Sequence, residues 1–189
     1  MPKHTFKTLG FTLIELVVTM AIAGILVTIA IPSFNSTMTS SRITSYANDL
    51  VSALNLARSE AIRRGIQVTV SNNGALTQWE SGWTVFVDIN SDETYNSVNN
   101  LCTTSAIGAP TEDCILREYP PLANDYTLTT GNSSYNKAAA YIPSGLSNVV
   151  VGDTFRLCNG TDMTTSRSIV IDGAGRAHIS PPGSAASCP

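Results

Sequence analysis

The chain has 189 residues, only 13% of them are charged, and its formal net charge is −3 at pH 7. This length accommodates one globular domain of ordinary size and one membrane-embedded helix, and it argues against a second independent domain. The small excess of acidic residues excludes a generally basic, phosphate-seeking surface. A low charge content combined with abundant Gly, Ser, Thr and Asn favours a β-rich extracytoplasmic domain over a soluble helical enzyme.

The N-terminal region combines a short basic segment with a long apolar one. Residues 1–10 carry Lys3 and Lys7 and no acidic residue, and residues 11–31 contain a single ionisable side chain, Glu15. As a helix, the apolar run spans about 30 Å, the thickness of one bilayer core. The two lysines predict that the N-terminal end stays cytoplasmic and the remainder is exported. Because the run continues into a helix-compatible segment, we expect it to be retained and not removed as a secretory signal.

Glu15 is unexpected in this position, since an ionised carboxylate in an apolar membrane segment is costly unless a positive group compensates it. Cleavage after Gly10 would create an amino group about one helical turn away, on the same subunit or on a neighbour. The sequence therefore predicts that Glu15 pairs with a newly formed N-terminus.

Residues 10–16, GFTLIEL, resemble the class III signal of type IV pilins and type II secretion pseudopilins. The resemblance implies cleavage between Gly10 and Phe11 by a prepilin peptidase, N-methylation of Phe11, and a contact of Glu15 with a neighbouring subunit during assembly. Pro32 also resembles the family pattern, and we expect it to kink or locally open the helix at the membrane exit.

Beyond Pro32, apolar residues recur at helical spacing and predict an amphipathic helix that continues to about Arg64 and stops at Gly65. The predicted apolar stripe comprises Ile43, Tyr46, Ala47, Leu50, Leu54, Ala57 and Ala61.

After Gly65 the apolar period changes to two, which is typical of strands separated by turns. The predicted strands contain Val68 and Val70, Trp83 to Val87, Ile115 to Tyr119, Tyr126 to Thr129, Ala138 to Ile142, Thr154 to Cys158, Ser168 to Ile171, and Ala177 to Ile179. The predicted fold class is α+β, with one long helix followed by a mainly antiparallel sheet. The expected segments are a leader (1–10), a transmembrane helix (11–32), an amphipathic helix (33–65) and a periplasmic head (66–189).

The chain is similar to the GspH/FimT family over nearly its whole length. The similarity is carried by Leu56 to Ala61 before Arg64 and Gly65, by Gly82 to Phe86 with Asp88 and Asn90, by Pro143 to Gly145, by Phe155, Leu157 and Cys158, and by Ile169 to Ile171 followed by Gly175 and Arg176. It implies the type IV pilin fold and a minor pilin that initiates assembly near the tip of a pilus. A GspH-like pseudopilin of the type II secretion system and a DNA-binding pilin of natural transformation are the alternatives.

The resemblance also implies partners and a location. The partners are other pilins or pseudopilins, the prepilin peptidase, the inner-membrane assembly platform and the lipid bilayer. The implied location is the inner membrane, crossed once, with the head in the periplasm before assembly into a filament.

The four cysteines, Cys102, Cys114, Cys158 and Cys188, allow three disulfide pairings. Sequential pairing would close two irregular loops and requires an oxidising compartment such as the periplasm. A zinc site is disfavoured because no CxxC spacing occurs and only His178 lies nearby.

Asp88, Asn90 and Asp92 have the alternating spacing with which a calcium-binding loop begins. The rest of the pattern fails, because Glu93 stands where such a loop needs Gly and Asn99 stands where it needs a bidentate Glu. A solvated turn after a strand is therefore favoured over a metal site.

Arg58 and Glu60 interrupt an apolar stretch of the predicted helix. A buried ion pair or a contact of Arg58 with backbone, holding the helix to the sheet, is favoured over binding to a partner.

Gly175 to His178, GRAH, resembles the GRxR element of DNA-binding FimT-type pilins. Arg176 is a candidate phosphate contact, but His178 replaces the second arginine and is mostly neutral at pH 7. Arg167 and Lys137 would have to converge on Arg176 to form a cationic patch. The alternative is a β-turn over residues 172–175 followed by an edge strand, and this interpretation is favoured.

No catalytic motif is found. After leader removal His178 is the single remaining histidine, and the cysteines are expected to be oxidised. The sequence predicts a protein that is not an enzyme and that needs no cofactor.

Overall fold

The computed structural model describes residues 10–98, 112–131, 135–149, 154–185 and 187–188, except for the side chains of residues 32 and 33. The chain divides into two compact units, Met1–Thr39 and Ser40–Pro189. The first unit contains the N-terminal part of one long helix. The second contains the rest of that helix and all of the described strands.

The helix, α1, spans Leu13–Arg64. Thr12 precedes its first turn and its Oγ1 accepts a hydrogen bond from the Glu15 backbone N–H at 3.3 Å, which satisfies one of the unpaired donors at the helix start. At the other end Gly65 has a φ of +68° and donates its N–H to the Ala61 carbonyl at 2.9 Å. The predicted stop at Gly65 is confirmed, since a left-handed residue is strained unless it is glycine. Helical structure continues without a break through residue 32, so the predicted kink there stays a prediction.

The described part of the first unit is an apolar helix whose large hydrophobic side chains are exposed. It contains an 18-residue window that is long and apolar enough to cross a membrane, and none of this window is buried. The hydroxyl groups of Thr19 and Thr28 each donate to a carbonyl three residues earlier, at 2.9 and 2.7 Å. These hydroxyl groups therefore need no water, as an apolar environment requires.

In the second unit, α1 buries one face against the strands. The predicted stripe is confirmed: six of its residues have no exposed surface, and Tyr46 is half-buried with its ring 5.2 Å from the ring of Tyr126. Alanines at 47, 53, 57 and 61 lie on this buried face. Because alanine is small, the helix axis can approach the strands closely.

The described part of the chain after the helix contains eight strands. In chain order they are β1 (Val68–Asn72), β2 (Trp83–Val87), β3 (Cys114–Tyr119), β4 (Tyr126–Thr130), β5 (Ala138–Tyr141), β6 (Thr154–Asn159), β7 (Asp162–Ile171) and β8 (Ala177–Ile179).

All neighbouring strands are antiparallel, and they form two four-stranded sheets where the sequence suggested one. The first sheet has the order β3-β2-β1-β5, and the second has the order β4-β6-β7-β8. A short 3₁₀ turn, Trp79–Ser81, precedes β2.

A cluster of buried aromatic rings connects parts of the chain that lie far apart in sequence. The Phe155 ring on β6 contacts the Trp79 ring edge-on at 4.9 Å and lies parallel to the Tyr135 ring at 6.1 Å. The Trp79 indole N–H donates to the Tyr135 carbonyl at 3.0 Å, so this buried polar group is satisfied.

The disulfide Cys158–Cys188 is present, and it confirms one of the two bonds in the sequential pairing. The second bond of the sequential pairing joins Cys102 to Cys114. Because Cys102 lies outside the described residues, this second bond stays a prediction.

The disulfide fastens the C-terminal segment beside β7. Ser180 donates its N–H to the Ser168 carbonyl at 2.8 Å, and Gly183 donates to the Ser166 carbonyl at 2.9 Å. Residues 180–184 thereby extend the edge that β8 begins.

Candidate functional site

The segment around the predicted processing point is open. The helix begins three residues after Gly10, so the bond between Gly10 and Phe11 lies in non-helical backbone. The Phe11 side chain is 77% exposed, and nothing lies within 4 Å of the position that a Cβ on Gly10 would take. The described residues of this bond are therefore exposed.

Glu15 lies in the first turn of α1 and is exposed. Its position favours a negative charge, because the N-terminal end of a helix carries a partial positive charge. Apolar side chains surround it along the helix, and those of Leu13, Ile14 and Val18 are 82%, 67% and 48% exposed. Glu15 is thus an exposed carboxylate among exposed apolar side chains of α1.

Arg58 fastens α1 to a loop of the head. Its Nε donates to the Gly145 carbonyl at 2.8 Å. Gly145 has a φ of +80°, a backbone conformation in which a residue with a side chain would be strained. The predicted contact of Arg58 with backbone is confirmed.

Glu60 does not take part in that contact. Its carboxylate accepts hydrogen bonds from Arg63 and Arg64 of the same helix, with the shortest distances 2.5 and 2.7 Å. The bond from Arg63 is the main cause that lowers the pKa of Glu60 below its ordinary value. Arg58 therefore connects the helix to a loop of the head, whereas Glu60 forms ion pairs within the helix.

The candidate calcium residues form a structural loop. Asp88 is fully buried, and both of its carboxylate oxygens are occupied. Oδ2 accepts hydrogen bonds from Gln67 Nε2, Thr69 Oγ1 and the Glu93 N–H, and Oδ1 accepts one from the Asp92 N–H. The expected solvated turn is therefore a turn built around a buried carboxylate.

A second buried carboxylate, Asp113, supports the same loop. It accepts hydrogen bonds from the backbone N–H groups of Ile89 and Asn96, at 3.0 and 2.7 Å. Asn90 and Asp92 bond to each other and are exposed. Among the described residues, no group of three or more His, Cys, Asp or Glu side chains is placed to hold a metal ion. Asp113 could not be identified from the sequence, because no local pattern links it to a loop about 20 residues earlier.

The GRAH element, residues 175–178, ends a tight turn and enters the edge strand β8. This is the arrangement that the sequence favoured over a DNA-binding element. Gly175 donates its N–H to the Asp172 carbonyl at 2.8 Å, which closes the turn, and His178 is exposed on β8. The Arg176 guanidinium lies 2.8 Å from Asp172 Oδ2. Hydrogen bonds to Asp172, first from the backbone N–H of Arg176 and then from its side chain, lower the pKa of this carboxyl group.

The four candidate DNA contacts do not come together. Arg167 is buried, and its guanidinium donates to the Thr165 carbonyl at 2.8 Å and to Thr44 Oγ1 of α1 at 3.4 Å. Lys137 precedes β5, whereas Gly175 packs against Tyr141 at the far end of that strand. The convergence that a cationic patch would require is therefore not found among these side chains.

Glu93 is a half-buried carboxyl group in the loop after β2, and replacing it by glutamine is expected to stabilise the head at neutral pH. Burial is the main cause that raises the pKa of Glu93, and the negative charge of Asp88 raises it further. A hydrogen bond that Asn148 donates to Glu93 Oε1 lowers the pKa, but the net effect is a raised pKa. A carboxyl group with a raised folded-state pKa stabilises the fold while protonated, below its ordinary pKa of about 4.3, and this contribution is lost as pH rises through the folded-state value. Glutamine keeps the acceptor for Asn148 without the charge.

The measurement is thermal unfolding of the full chain in non-ionic micelles, followed by the fluorescence of the two buried tryptophans. We expect Glu93→Gln to raise Tm at about pH 7 and to leave it unchanged below about pH 4. Glu118→Gln, which removes an exposed carboxylate from β3, is the matched control. An equal rise in Tm at both pH values, or a rise no larger than that of the control, would contradict the prediction.

Comparison with known proteins places these features in a class. The solved structures of the type IV minor pilin FimU from Pseudomonas aeruginosa, in two crystal forms, align with TM-scores of 0.57 and 0.54 at 20% identity. They cover 78% and 77% of this chain and 96% and 98% of FimU. The fold is therefore the type IV pilin fold.

The family follows from the sequence comparison. The profile described as "Type II transport protein GspH" matches residues 46–175, and the profile described as "Prokaryotic N-terminal methylation motif" matches residues 6–31. The chain belongs to the GspH family and carries the pilin-type methylation motif.

Two curated relatives, each described as "Fimbrial protein" from Pseudomonas aeruginosa, are 40% identical over 75 residues, or 40% of this chain. The chain spans about half the length of these curated relatives, since the match covers 48% of each.

Proposed function

We propose that this protein is a minor pilin. A prepilin peptidase cleaves it between Gly10 and Phe11, Phe11 is N-methylated, and the helix anchors it in the inner membrane with the head in the periplasm. The assembly platform then incorporates it into a type IV pilus, where it joins other pilins as an initiating or tip subunit.

One observation carries the proposal. The methylation motif leads directly into an apolar helix with no buried residue in its most apolar window, and this helix belongs to a chain with the fold of FimU. Such a surface is unstable in water and needs either lipid or neighbouring helices. Insertion into the membrane supplies the lipid, and later packing into a filament supplies the neighbouring helices. We propose a structural and not an enzymatic role, because the family and the fold are those of filament subunits.

The alternative is a pseudopilin of a type II secretion system. The family description, which names type II transport, favours it. Both functions use the same processing and the same helix packing, so they differ in the machine and not in the chemistry. Binding of DNA is not favoured, because Arg176 is paired with Asp172 and Arg167 is buried.

Deletion and complementation in a host that makes both machines test the proposal. We expect the chain in the sheared-pilus fraction, a loss of surface pili on deletion, and normal secretion of a type II exoprotein. A catalytically inactive prepilin peptidase should leave the chain longer at its N-terminus and absent from pili. Normal piliation with failed exoprotein secretion would reject the minor-pilin role and support the pseudopilin.

A further inference from the structure

The outer face of the first sheet carries a row of polar side chains across three strands. Glu118 pairs with Thr84, and Thr84 pairs with Ser71, so these three neighbours project from one face. The adjacent row on this face contains Phe86 and Thr69, which are also paired. Residues Val70 and Val85 alternate with them and are buried in the core on the other face.

The loop after β2 buries the second row completely, whereas in the first row Thr84 is buried, Ser71 is half-buried and Glu118 is exposed. The Tyr95 ring lies edge-on to the Phe86 ring at 5.6 Å, and Asp88 bonds Thr69 at 2.9 Å. A groove of about 370 Å³ remains between this loop and the polar row. Its volume is in the range of natural ligand sites. The groove is lined by Ser71, Thr84, Glu93, Thr94, Glu118 and Lys137, among others.

The groove has more negative than positive charge. It is lined by the carboxylates of Glu93 and Glu118 and by one amine, that of Lys137. Among the described residues, none of these three groups takes part in an ion pair. Glu93 is half-buried, and its side-chain partner among the described residues is the neutral amide of Asn148. Burial together with Asp88 raises the pKa of Glu93. A cation in the groove would compensate a charge that the head leaves uncompensated.

We propose that this groove binds an arginine or lysine side chain carried by an extended segment of another protein. The two carboxylates receive the cationic head group. The hydroxyl groups of Ser71, Thr84 and Thr94 already donate hydrogen bonds within the chain, so their oxygens can serve the segment only as acceptors for its backbone N–H groups. The charge disfavours an anionic partner such as a nucleic acid. The ring of Tyr95 is already packed on Phe86, which disfavours a sugar that would stack on it. The proposal does not depend on assembly into a filament.

The test is a nuclear magnetic resonance titration of the ¹⁵N-labelled full chain in non-ionic polyoxyethylene micelles. The probe is N-acetyl-glycyl-arginyl-glycine amide, and the matched probe has neutral citrulline in place of arginine. We expect saturable shifts of the Ser71, Thr84 and Thr94 amide signals at millimolar arginine probe, with clearly weaker binding of the citrulline probe. Glu118→Gln should weaken binding about two- to fivefold, the usual range for an exposed ion pair, and Glu93→Gln by at least as much.

Asp49→Asn removes a carboxylate from α1, outside the groove, and should leave probe binding unchanged. A role of Glu93 in stability alone would change Tm without separating the arginine probe from the citrulline probe. Equal binding of the two probes, no saturable shift, or preferential binding of trehalose as a sugar probe would each overturn the proposal.

Discussion

Replacing Glu15 by alanine is expected to reduce incorporation of the chain into filaments by at least about tenfold, which corresponds to about 1.4 kcal/mol. The carboxylate lies in the first turn of an exposed apolar helix, one turn after the proposed new N-terminus at Phe11. When that helix packs among others away from water, an ionised carboxylate costs about 3 kcal/mol unless a cation compensates it. In the assembled filament the amino group of a neighbour is the proposed cation, so the carboxylate favours correct docking and its loss removes that preference.

The measurement is the ratio of chain in sheared filaments to chain in the membrane fraction, in a host that lacks its own copy. Membrane insertion and cleavage after Gly10 should be unchanged, since neither depends on the pairing. Glu15→Gln removes the charge but keeps the shape of the side chain, and we expect it to reduce incorporation into filaments as much as Glu15→Ala does. Asp49→Ala, the control, should be incorporated normally. Wild-type incorporation of Glu15→Ala would refute the pairing, even if the protein proves to be a pilin.

Removing the disulfide between Cys158 and Cys188 is expected to lower the free energy of unfolding of the head by about 3.5 kcal/mol. The two cysteines are 30 residues apart, and a crosslink that closes a loop of this length removes roughly that amount of conformational freedom from the unfolded chain. The bond also holds the C-terminal segment against β7, where Gly183 bonds Ser166. We expect amide hydrogen exchange at Ser180 and Gly183 to accelerate before the rest of the head is affected.

The double variant Cys158→Ala, Cys188→Ala is used so that no new free thiol can form a different disulfide. Urea unfolding followed by tryptophan fluorescence reports the head, because Trp79 and Trp83 are both buried in it. The matched control is Ser184→Ala, which removes one hydrogen bond to the Ser168 N–H and leaves the crosslink intact. This control substitution should lower the free energy of unfolding by about 1 kcal/mol. A double variant as stable as the control would show that the disulfide contributes little.

Several features of the fold could be predicted because they depend on neighbours in sequence. The helix end at Gly65 follows from a residue type that tolerates a positive φ, and the seven-residue stripe follows from the 3.6-residue period. The strands followed from alternation and turn residues, although β7 is longer than expected and begins at Asp162. Its first half is rich in threonine and serine, so it lacks the apolar alternation that identifies a strand.

The candidate sites were less predictable, because their properties depend on residues that are distant in sequence. Arg167 was a candidate DNA contact, yet it bonds Thr44, 123 positions earlier. Arg58 was expected to contact backbone, but its acceptor at Gly145 is 87 positions later and could not be named. Asp88 has the spacing of the first ligand in a calcium loop, but Gln67 and Thr69 from another strand both donate to its Oδ2.

The sequence by itself determined that the chain has a pilin-type N-terminus, one long helix and a β-rich head, because hydrophobic period, charge position and a short motif are local properties. The tertiary structure alone decided that the strands form two sheets, that Asp88 and Asp113 are structural, and that Glu93 and Glu118 share a groove. The physical reason is that burial and hydrogen-bond partners determine what a polar side chain does, and both are set by which distant segments pack together.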